Sequence, residues 1–204
     1  MKILQAGDDA AKEALRVLKN EGTIIYPTDT LYGIGVDATS DKAKEKVYEI
    51  KGRDSSKPMS ICVADIKQAS EFVRVRKETA EIAKKFLPGP LTLVLPQRRE
   101  MKAMKFVSKD GKIAIRIPDN KFTLSLVKAF GKPITSTSAN LSGQKDPAKI
   151  SDIDSSVREK CDLIIDGGIC KYSMLSTIVD VKKRKVLREG AIARETLRKA
   201  GLID

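Results

Sequence analysis

Histidine is absent from this chain of 204 residues, and tryptophan is absent as well. Without imidazole, the chain cannot form a Ser-His-Asp or Cys-His nucleophile arrangement or a His-ligated zinc site. It also lacks the side chain whose ordinary pKa makes it the usual general base near neutral pH. Any catalytic chemistry must therefore use other groups.

Cysteine is scarce, and its spacing does not indicate a metal site. The three cysteines, Cys62, Cys161 and Cys170, are odd in number and form no CxxC pair. This argues against both a disulfide framework and a zinc cluster. We expect a reducing compartment, the cytoplasm, and no metal ligands from the protein.

Long hydrophobic runs are also missing. The longest apolar stretches, such as residues 91–95, are far too short to span a bilayer. The N-terminal segment MKILQAGDD lacks the apolar region of a signal peptide. We therefore expect no association with a membrane.

Acidic residues are outnumbered, since 27 Asp and Glu face 39 Lys and Arg and the formal net charge is +12. Such a surplus favours anionic partners, among them nucleotides, RNA and DNA. A basic surface that serves only solubility explains the charge equally well. The charge alone does not decide between the two.

The hydrophobic pattern predicts an α/β fold: a single domain over residues 1–204, with a twisted mixed parallel and antiparallel sheet flanked by helices. Short hairpins, such as the one at 182–184, stand beside helical crossovers, which favours a mixed sheet. The predicted helices are 8–22, 40–52, 65–72, 79–86, 122–130 and 193–200. The predicted strands are 23–26, 31–36, 59–63, 91–95, 113–117, 133–137, 163–166, 177–181 and 186–188.

One long connection stands out. Residues 97–111 are rich in Lys and Arg and have weak periodicity. We expect them to form an exposed, mobile loop that could act as a lid.

Neither of two common nucleotide-binding motifs is predicted. Residues 33–38 (GIGVDA) match the GxGxxA form of a dinucleotide-binding turn. Their alternation with apolar residues is typical of a strand, however, whereas the motif must open directly into a helix. No GxxxxGK[ST] phosphate loop occurs in the sequence.

Three cations, Lys51, Arg53 and Lys57, lie close together where the second predicted helix ends. Such a cluster suits a triphosphate, because Arg grips phosphate oxygens in pairs and Lys supplies a movable point charge. Solvated cations that complement a helix C-terminus are the alternative explanation. Residues 136–143 (STSANLSG) add hydroxyl and amide groups, which could bind a ribose, a base edge or a phosphate, or could cap the next helix.

Arg116 lies in an apolar strand, on the face opposite Ile115 and Ile117. A guanidinium in such a place needs an anion, either an internal Asp or Glu or a substrate carboxylate. Arg188, near the end of another predicted strand, raises the same question. Residues 28–32 follow the first predicted strand and carry more polar groups, a usual location for binding residues in α/β sheets.

Six segments in order resemble the YrdC-like family, the threonylcarbamoyl-AMP synthases. The resemblance runs from about residue 22 to residue 188, and the ordered set is far more specific than any one segment. The segments are 27–33 (PTDTLYG), 51–58 (KGRDSSKP), 87–92 (LPGPLT), 115–118 (IRIP), 136–140 (STSAN) and 176–180 (STIVD).

The resemblance implies a reaction. Members of this family make threonylcarbamoyl-AMP and pyrophosphate from L-threonine, bicarbonate and ATP. The product feeds a threonylcarbamoyl-transferase machinery that modifies adenosine 37 of tRNAs reading ANN codons. Mg²⁺ would arrive on the ATP phosphates rather than in a protein cage.

The resemblance also implies site residues in this chain. Lys51 and Arg53 would be catalytic, and Cys62 stands where some members have His, which suggests that it shapes the threonine pocket rather than transferring protons. The implied ATP-binding residues are Lys51, Arg53, Lys57, Lys112, Ser138, Asn140, Asp146 and Arg188. The implied threonine-binding residues are Thr30, Cys62, Arg116, Ser136 and Ser176.

Two other hypotheses fit the sequence. A non-catalytic protein of the same fold could bind double-stranded RNA or tRNA on a basic concave face, without ATP turnover. A related enzyme could make carbamoyl-adenylate from carbamoyl phosphate, as in hydrogenase-maturation proteins. Those proteins carry acylphosphatase-like and zinc-finger segments, which this sequence lacks.

Overall fold

The strands of the computed structural model, which describes residues 2–101 and 104–204, join into one sheet. The strands are β1 (Lys2–Gln5), β2 (Ile24–Tyr26), β3 (Gly33–Gly35), β4 (Ser60–Cys62), β5 (Leu91–Pro96), β6 (Ser108–Lys109), β7 (Lys112–Arg116), β8 (Ile134–Ser138), β9 (Leu163–Asp166), β10 (Thr177–Asp180) and β11 (Lys185–Arg188). Across these described residues the order is β1-β9-β2-β3-β8-β4-β7-β5-β10-β11, with β6 beside β7.

The sheet contains both parallel and antiparallel pairs. The pairs β1–β9, β2–β9, β4–β7 and β5–β10 are parallel, and the remaining pairs are antiparallel. The predicted mixed α/β fold is therefore confirmed.

Helices pack on the sheet. They are α1 (Asp8–Lys19), α2 (Asp41–Lys51), α3 (Ile66–Phe72), α4 (Lys77–Phe86), α5 (Lys121–Phe130), α6 (Ser155–Glu159) and α7 (Arg194–Lys199), with a 3₁₀ turn at Ile150–Asp152. The prediction missed α6 and the short strands β1 and β6. These elements are only two to five residues long, so they carry little periodicity.

The side chains of the strands alternate between two hydrophobic clusters. Ile25 and Ile164 join the cluster on one face, whereas Ile24 and Leu163 join the cluster that α1 and α5 cover on the other face. This alternation follows from the two-residue period of a strand. It places the sheet between two layers of buried apolar residues.

The end of α2 has a fixed position. Its N-terminus is capped by Ser40, whose Oγ accepts a hydrogen bond from the Ala43 amide at 3.1 Å. Gly52 ends the helix with a φ of 55°, a left-handed conformation that glycine adopts readily. Lys51 is consequently the last residue of the helix, and the chain turns sharply after it.

The glycines of β3 make room for an aromatic ring rather than for a nucleotide. A methyl group on Gly33 would lie 3.0 Å from a ring atom of Tyr26, and one on Gly35 would lie 2.9 Å away. The Tyr26 hydroxyl donates to the Thr135 carbonyl at 3.0 Å. The GxG sequence therefore belongs to a strand, as predicted, and its purpose is close packing.

The prediction of an exposed loop over 97–111 is wrong in its second half. Val107 is buried, Ser108–Lys109 form β6, and the Phe106 carbonyl accepts from the Met59 amide at 2.8 Å. The prediction failed here because Lys and Arg dominate the composition of the segment, whereas the buried apolar stretch around Val107 is short. Residues 102 and 103 lie outside the described residues, and the role of the segment as a lid stays a prediction.

We expect Gly35→Ala to lower the free energy of unfolding by about 1–3 kcal/mol, because the added methyl group overlaps the Tyr26 ring. Chemical denaturation measures this loss. The control is the same substitution in a Tyr26→Leu background, where the loss should shrink. An equal loss in both backgrounds would show that the contact with Tyr26 is not the cause.

Candidate active site

A cavity of about 170 Å³ lies on one face of the central strands. The register explains its lining, because Thr92 pairs with Arg116, and Ser60 with Ser136, so that their side chains share a face. The described lining is Thr28, Thr30, Leu31, Tyr32, Gly33, Arg53, Pro58, Met59, Ser60, Thr92, Arg116, Ser136, Thr137, Ser138, Leu175, Ser176, Ile178 and Arg188.

The polar side chains of this described lining are either positively charged or neutral. It contains three guanidinium groups, from Arg53, Arg116 and Arg188, beside a row of hydroxyl groups, and within the described lining no carboxylate. Such a surface binds anions by charge and by hydrogen bonding. Seven of the residues predicted as ligands meet here: Thr30, Arg53, Arg116, Ser136, Ser138, Ser176 and Arg188.

Arg116 is held by an internal carboxylate. It is 3% exposed, and its Nη2 donates to Asp29 Oδ1 and, at 3.4 Å, to the Thr30 hydroxyl. Its Nη1 donates to the Leu91 carbonyl at 3.2 Å. Of the two anions that the sequence left open, the structure shows the internal one, although Arg116 still reaches the cavity.

Asp29 is the residue that the sequence did not single out as a partner. It is buried, and its second carboxylate oxygen, Oδ2, has no hydrogen-bond donor among the residues that the structure describes. A buried charge of this kind is tolerated only because Arg116 neutralises it. The sequence held one signal for this partner, which is an acidic residue in the loop directly after β2.

The loop after β2 fixes Asp29 and Thr30 in place. The Thr28 hydroxyl donates to the Leu31 carbonyl at 2.6 Å and accepts from the amides of Thr30 and Leu31, both at 3.1 Å. A hydroxyl that closes a turn in this way restricts the backbone. The Tyr172 amide also donates to the Asp29 carbonyl at 2.8 Å.

Arg188 and Ser176 also line the cavity and are held together by hydrogen bonds. Arg188 donates to the Ser176 carbonyl from Nη2 at 2.9 Å and from Nε at 3.2 Å. The hydroxyls of Ser176 and Thr92 share a hydrogen bond of 2.8 Å. Burial lowers the pKa of Arg188, the negative charge of Asp146 opposes this shift, and the positive charges of Arg116 and Arg53 add to it. Thr92 was missed because it lies inside an apolar run.

Lys51 does not reach the cavity. Its ammonium donates to the Asn140 carbonyl at 2.8 Å, to Asn140 Oδ1 at 3.0 Å and to the Ser138 carbonyl. These three acceptors use all three of its hydrogens. Burial lowers the pKa of Lys51 to about 8, and repulsion from Arg53 adds to this.

The network around Lys51 extends into the loop after β8. The Asn140 amide donates to the Gln144 carbonyl at 2.7 Å and to Asp146 Oδ1 at 3.2 Å, and the Ser138 hydroxyl donates to Asn140 Oδ1 at 2.7 Å. Four residues predicted to bind ATP are thereby connected. Lys51 and Asn140 contact Ser138 directly, Asp146 holds Asn140, and the direct contact of these three residues with ATP stays a prediction.

Three other predicted residues lie apart from the cavity lining. Lys57 is exposed, and Lys112 starts β7 at the end remote from Arg116, where it pairs with Asp180 at 2.5 Å. Cys62 is fully buried against Tyr26, and burial raises the pKa of its thiol to about 12. The thiol is therefore protonated at neutral pH, and the predicted roles of these three residues stay predictions.

Metal-binding clusters and membrane-spanning helices are both absent from the residues that the structure describes. Within residues 2–101 and 104–204, no cluster of Cys, Asp and Glu has the size or grouping to hold a metal ion. Over the same residues, no helix is long and apolar enough to cross a bilayer.

Comparison with known proteins supports one family. The family model for Sua5, YciO and YrdC proteins, described as "Telomere recombination", matches residues 16–190. A protein of Methanocaldococcus jannaschii named putative threonylcarbamoyl-AMP synthase is 41% identical over 97% of this chain and 95% of its own length. The threonylcarbamoyl-AMP synthase of Bacillus subtilis is 32% identical over 95% of this chain, but the chain spans only 57% of that protein.

Solved structures agree with this assignment. The Pyrococcus abyssi Sua5 protein in complex with L-threonine superposes with a TM-score of 0.86 at 30% identity, covering 97% of this chain and 59% of that protein. The E. coli YciO protein gives a TM-score of 0.80 at 23% identity, over 93% of this chain and 94% of its own, which supports the fold alone. With most of its length matched, the chain belongs to the Sua5/YciO/YrdC family.

Proposed function

We propose that this protein is an L-threonylcarbamoyladenylate synthase. The observation that carries the proposal is the cavity with three arginines, a row of hydroxyls and, over its described lining, no carboxylate. Its relatives from M. jannaschii and B. subtilis bear the name threonylcarbamoyl-AMP synthase, and the similar P. abyssi protein binds L-threonine. All three substrates of such an enzyme, L-threonine, bicarbonate and ATP, carry negative charge at the groups to be held.

L-Threonine fits the floor of the cavity. Arg116 has five N–H groups, and its contacts with Asp29, Thr30 and Leu91 engage three of them, so that it can still donate a hydrogen bond to a substrate carboxylate. Because Asp29 already balances Arg116, the floor is close to neutral, as suits a zwitterionic amino acid. Ser136 and Ser176 offer hydroxyls to the remaining polar groups.

ATP fits the mouth of the cavity. Arg53 and Arg188 both line it, the charge of Arg53 lowers the pKa of Arg188, and a triphosphate bound beside both would relieve this repulsion. Ser138 also lines the cavity. Its hydroxyl donates to Asn140, and Lys51 in turn donates to Asn140. Lys51 then acts as a fixed positive charge behind the phosphates.

The reaction follows from this arrangement. The threonine amine forms an N–C bond with bicarbonate and water is lost, and an oxygen of the resulting carbamate attacks the α-phosphorus of ATP as the bond to pyrophosphate breaks. Such a displacement depends on positioning and on neutralising charge rather than on a dedicated base. This agrees with a chain that lacks histidine.

A protein-held magnesium ion does not fit the site. The cavity offers guanidinium and hydroxyl groups, whereas Mg²⁺ prefers carboxylate and phosphate oxygens. The ion belongs to the substrate, as the complex of Mg²⁺ with ATP. The product would pass in the cytoplasm to the machinery that transfers the threonylcarbamoyl group to tRNA.

The first test is pyrophosphate release from ATP. We expect release to require both L-threonine and bicarbonate, because the attacking group is the carbamate that they form together. A coupled phosphate assay on the purified chain measures this. Release that is indifferent to both co-substrates would contradict the proposal, as would RNA binding without any ATP turnover.

The second test distinguishes the arginine proposed to bind L-threonine from the arginine proposed to bind ATP. We expect Arg116→Lys to raise the KM for L-threonine by about tenfold or more, because lysine keeps the charge beside Asp29 but loses the planar fork. Arg53→Lys should instead raise the KM for ATP. Steady-state kinetics with each substrate varied in turn gives both values.

The matched control is Arg16→Lys, which alters an exposed arginine of α1 whose guanidinium pairs with Glu13, and neither residue lines the cavity. It should leave both KM values unchanged. If Arg116→Lys and Arg53→Lys raised both KM values equally in folded protein, the division of the cavity would be wrong.

The third test uses the pKa of Lys51, which is about 8 in the free protein. At pH 8.5 roughly three quarters of this amine is neutral, and nearby phosphates raise its pKa, so ATP binding should take up about 0.7 proton or less. Affinity for ATP should accordingly fall as the pH rises above 8. Calorimetry in two buffers of different ionisation enthalpy measures the uptake.

Lys51→Arg is the control, because arginine stays protonated and can keep hydrogen bonds to Asn140. In this variant the uptake should vanish. No proton uptake by the unmodified protein, or the same uptake in both proteins, would show that Lys51 does not sense the phosphates.

A further inference from the structure

Thr92 carries a hydroxyl in a strand that is otherwise apolar. It is the second residue of β5, between Leu91 and Leu93, and it is 2% exposed. A hydroxyl in such a place needs a hydrogen-bond partner, because burying it without one costs free energy. Over the part of the chain that the structure describes, this partner is the hydroxyl of Ser176, at 2.8 Å.

This pair of hydroxyls lies in the part of the cavity that contains Arg116. In the sheet, Thr92 is paired with Arg116 of β7 on one side and with Ile178 of β10 on the other. Ser176 directly precedes β10, and all four residues line the cavity. The hydroxyl pair is therefore close to the guanidinium that we propose binds the threonine carboxylate.

The hydrogens of the pair can be counted. A serine hydroxyl has one hydrogen and can accept two hydrogen bonds. Nη2 of Arg188 lies 3.1 Å from Ser176 Oγ, and it can only donate, so it uses one of the two acceptor positions. The bond to Thr92 then uses either the second acceptor position of Ser176 or its hydrogen.

The ligand and the burial of the two hydroxyls decide between these arrangements. A threonine carboxylate only accepts hydrogen bonds, so the hydroxyl that contacts it must supply a hydrogen. Ser176 is 8% exposed and Thr92 only 2%, so Ser176 is the more accessible of the two to a ligand in the cavity. Its hydrogen is left for that ligand when Thr92 is the donor within the pair.

We propose that Thr92 is a positioning residue for L-threonine. Its hydroxyl donates to Ser176 Oγ, and the hydrogen of Ser176 is thereby directed at the bound amino acid. Arg188 completes the arrangement, because its two hydrogen bonds to the Ser176 carbonyl hold the backbone in place. This role rests on the proposed function, and it assigns Thr92 an effect on substrate affinity that is exerted through Ser176.

The experiment measures L-threonine binding by calorimetry and the KM for ATP by pyrophosphate release, on the full chain. Thr92→Val removes the hydroxyl and keeps the branched shape, Thr92→Ser keeps the hydroxyl, and Thr92→Ala provides a second loss of the hydroxyl if the valine variant does not fold. The control is Thr23→Val. Thr23 is also buried, and its hydroxyl donates to Asp162 Oδ2 at 2.9 Å, but it does not belong to the described lining of the cavity.

We expect Thr92→Val to raise the Kd for L-threonine by about five- to tenfold, because a hydrogen bond to the substrate loses its orientation. Thr92→Ser should restore the Kd to within about twofold of the unmodified protein. The KM for ATP should change little, since Arg188 keeps its bonds to the Ser176 carbonyl. Thr23→Val should bind L-threonine as the unmodified protein does.

A double-mutant cycle with Ser176→Ala tests whether Thr92 acts through Ser176. Once the Ser176 hydroxyl is gone, there is nothing left for Thr92 to orient, so Thr92→Val should raise the Kd by less than about twofold further. A merely structural role of Thr92 would give the same loss of affinity with and without the Ser176 hydroxyl.

Three results would overturn the proposal: an unchanged Kd in folded Thr92→Val or Thr92→Ala, equal losses in the two backgrounds of the cycle, or a Thr92→Ser variant as weak as Thr92→Val. The proposed function fails separately. If the unmodified protein binds L-threonine without releasing pyrophosphate, it is not the proposed synthase, and the Kd values still decide the role of Thr92. If it does not bind L-threonine at all, both proposals are wrong.

Discussion

The buried ion pair between Arg116 and Asp29 is the interaction on which the site depends. It joins the end of β7 to the loop after β2, across 87 residues of sequence. Removing one partner would leave an uncompensated charge in the interior, at a cost of about 3–5 kcal/mol. The pair therefore fixes the guanidinium on the cavity floor and ties the two halves of the sheet together.

The ion pair also explains why the floor and the mouth of the cavity differ in charge. Arg116 is neutralised by Asp29, whereas Arg53 and Arg188 have only backbone and hydroxyl acceptors from the protein. The floor is therefore nearly neutral and the mouth is positive. A zwitterionic amino acid fits the first environment, and a triphosphate fits the second.

Part of this site could be predicted from the sequence because it depends on local rules. Period-two alternation placed Arg116 away from its apolar neighbours, and the polar residues after β2 fell where α/β sheets usually bind ligands. The segment 136–140 follows a buried strand and was predicted to supply hydroxyls. Each of these expectations needed only a few consecutive residues.

The rest depends on contacts between distant segments, which spacing does not encode. The ammonium of Lys51 is occupied by acceptors almost ninety positions away, in the Asn140 loop, so it supports the wall instead of lining it. Lys112 pairs with Asp180 at the end of β7 that is remote from Arg116. The choice of Asp29 as the anion for Arg116 likewise emerges only when β2 and β7 are brought into one sheet.

A crystal structure of the protein soaked with L-threonine and a non-hydrolysable ATP analogue would test the account most directly. We expect the threonine carboxylate to contact Arg116 while the Arg116–Asp29 pair stays intact, and the triphosphate to contact Arg53 and Arg188. Threonine bound elsewhere, or a carboxylate that displaces Asp29 from Arg116, would contradict it.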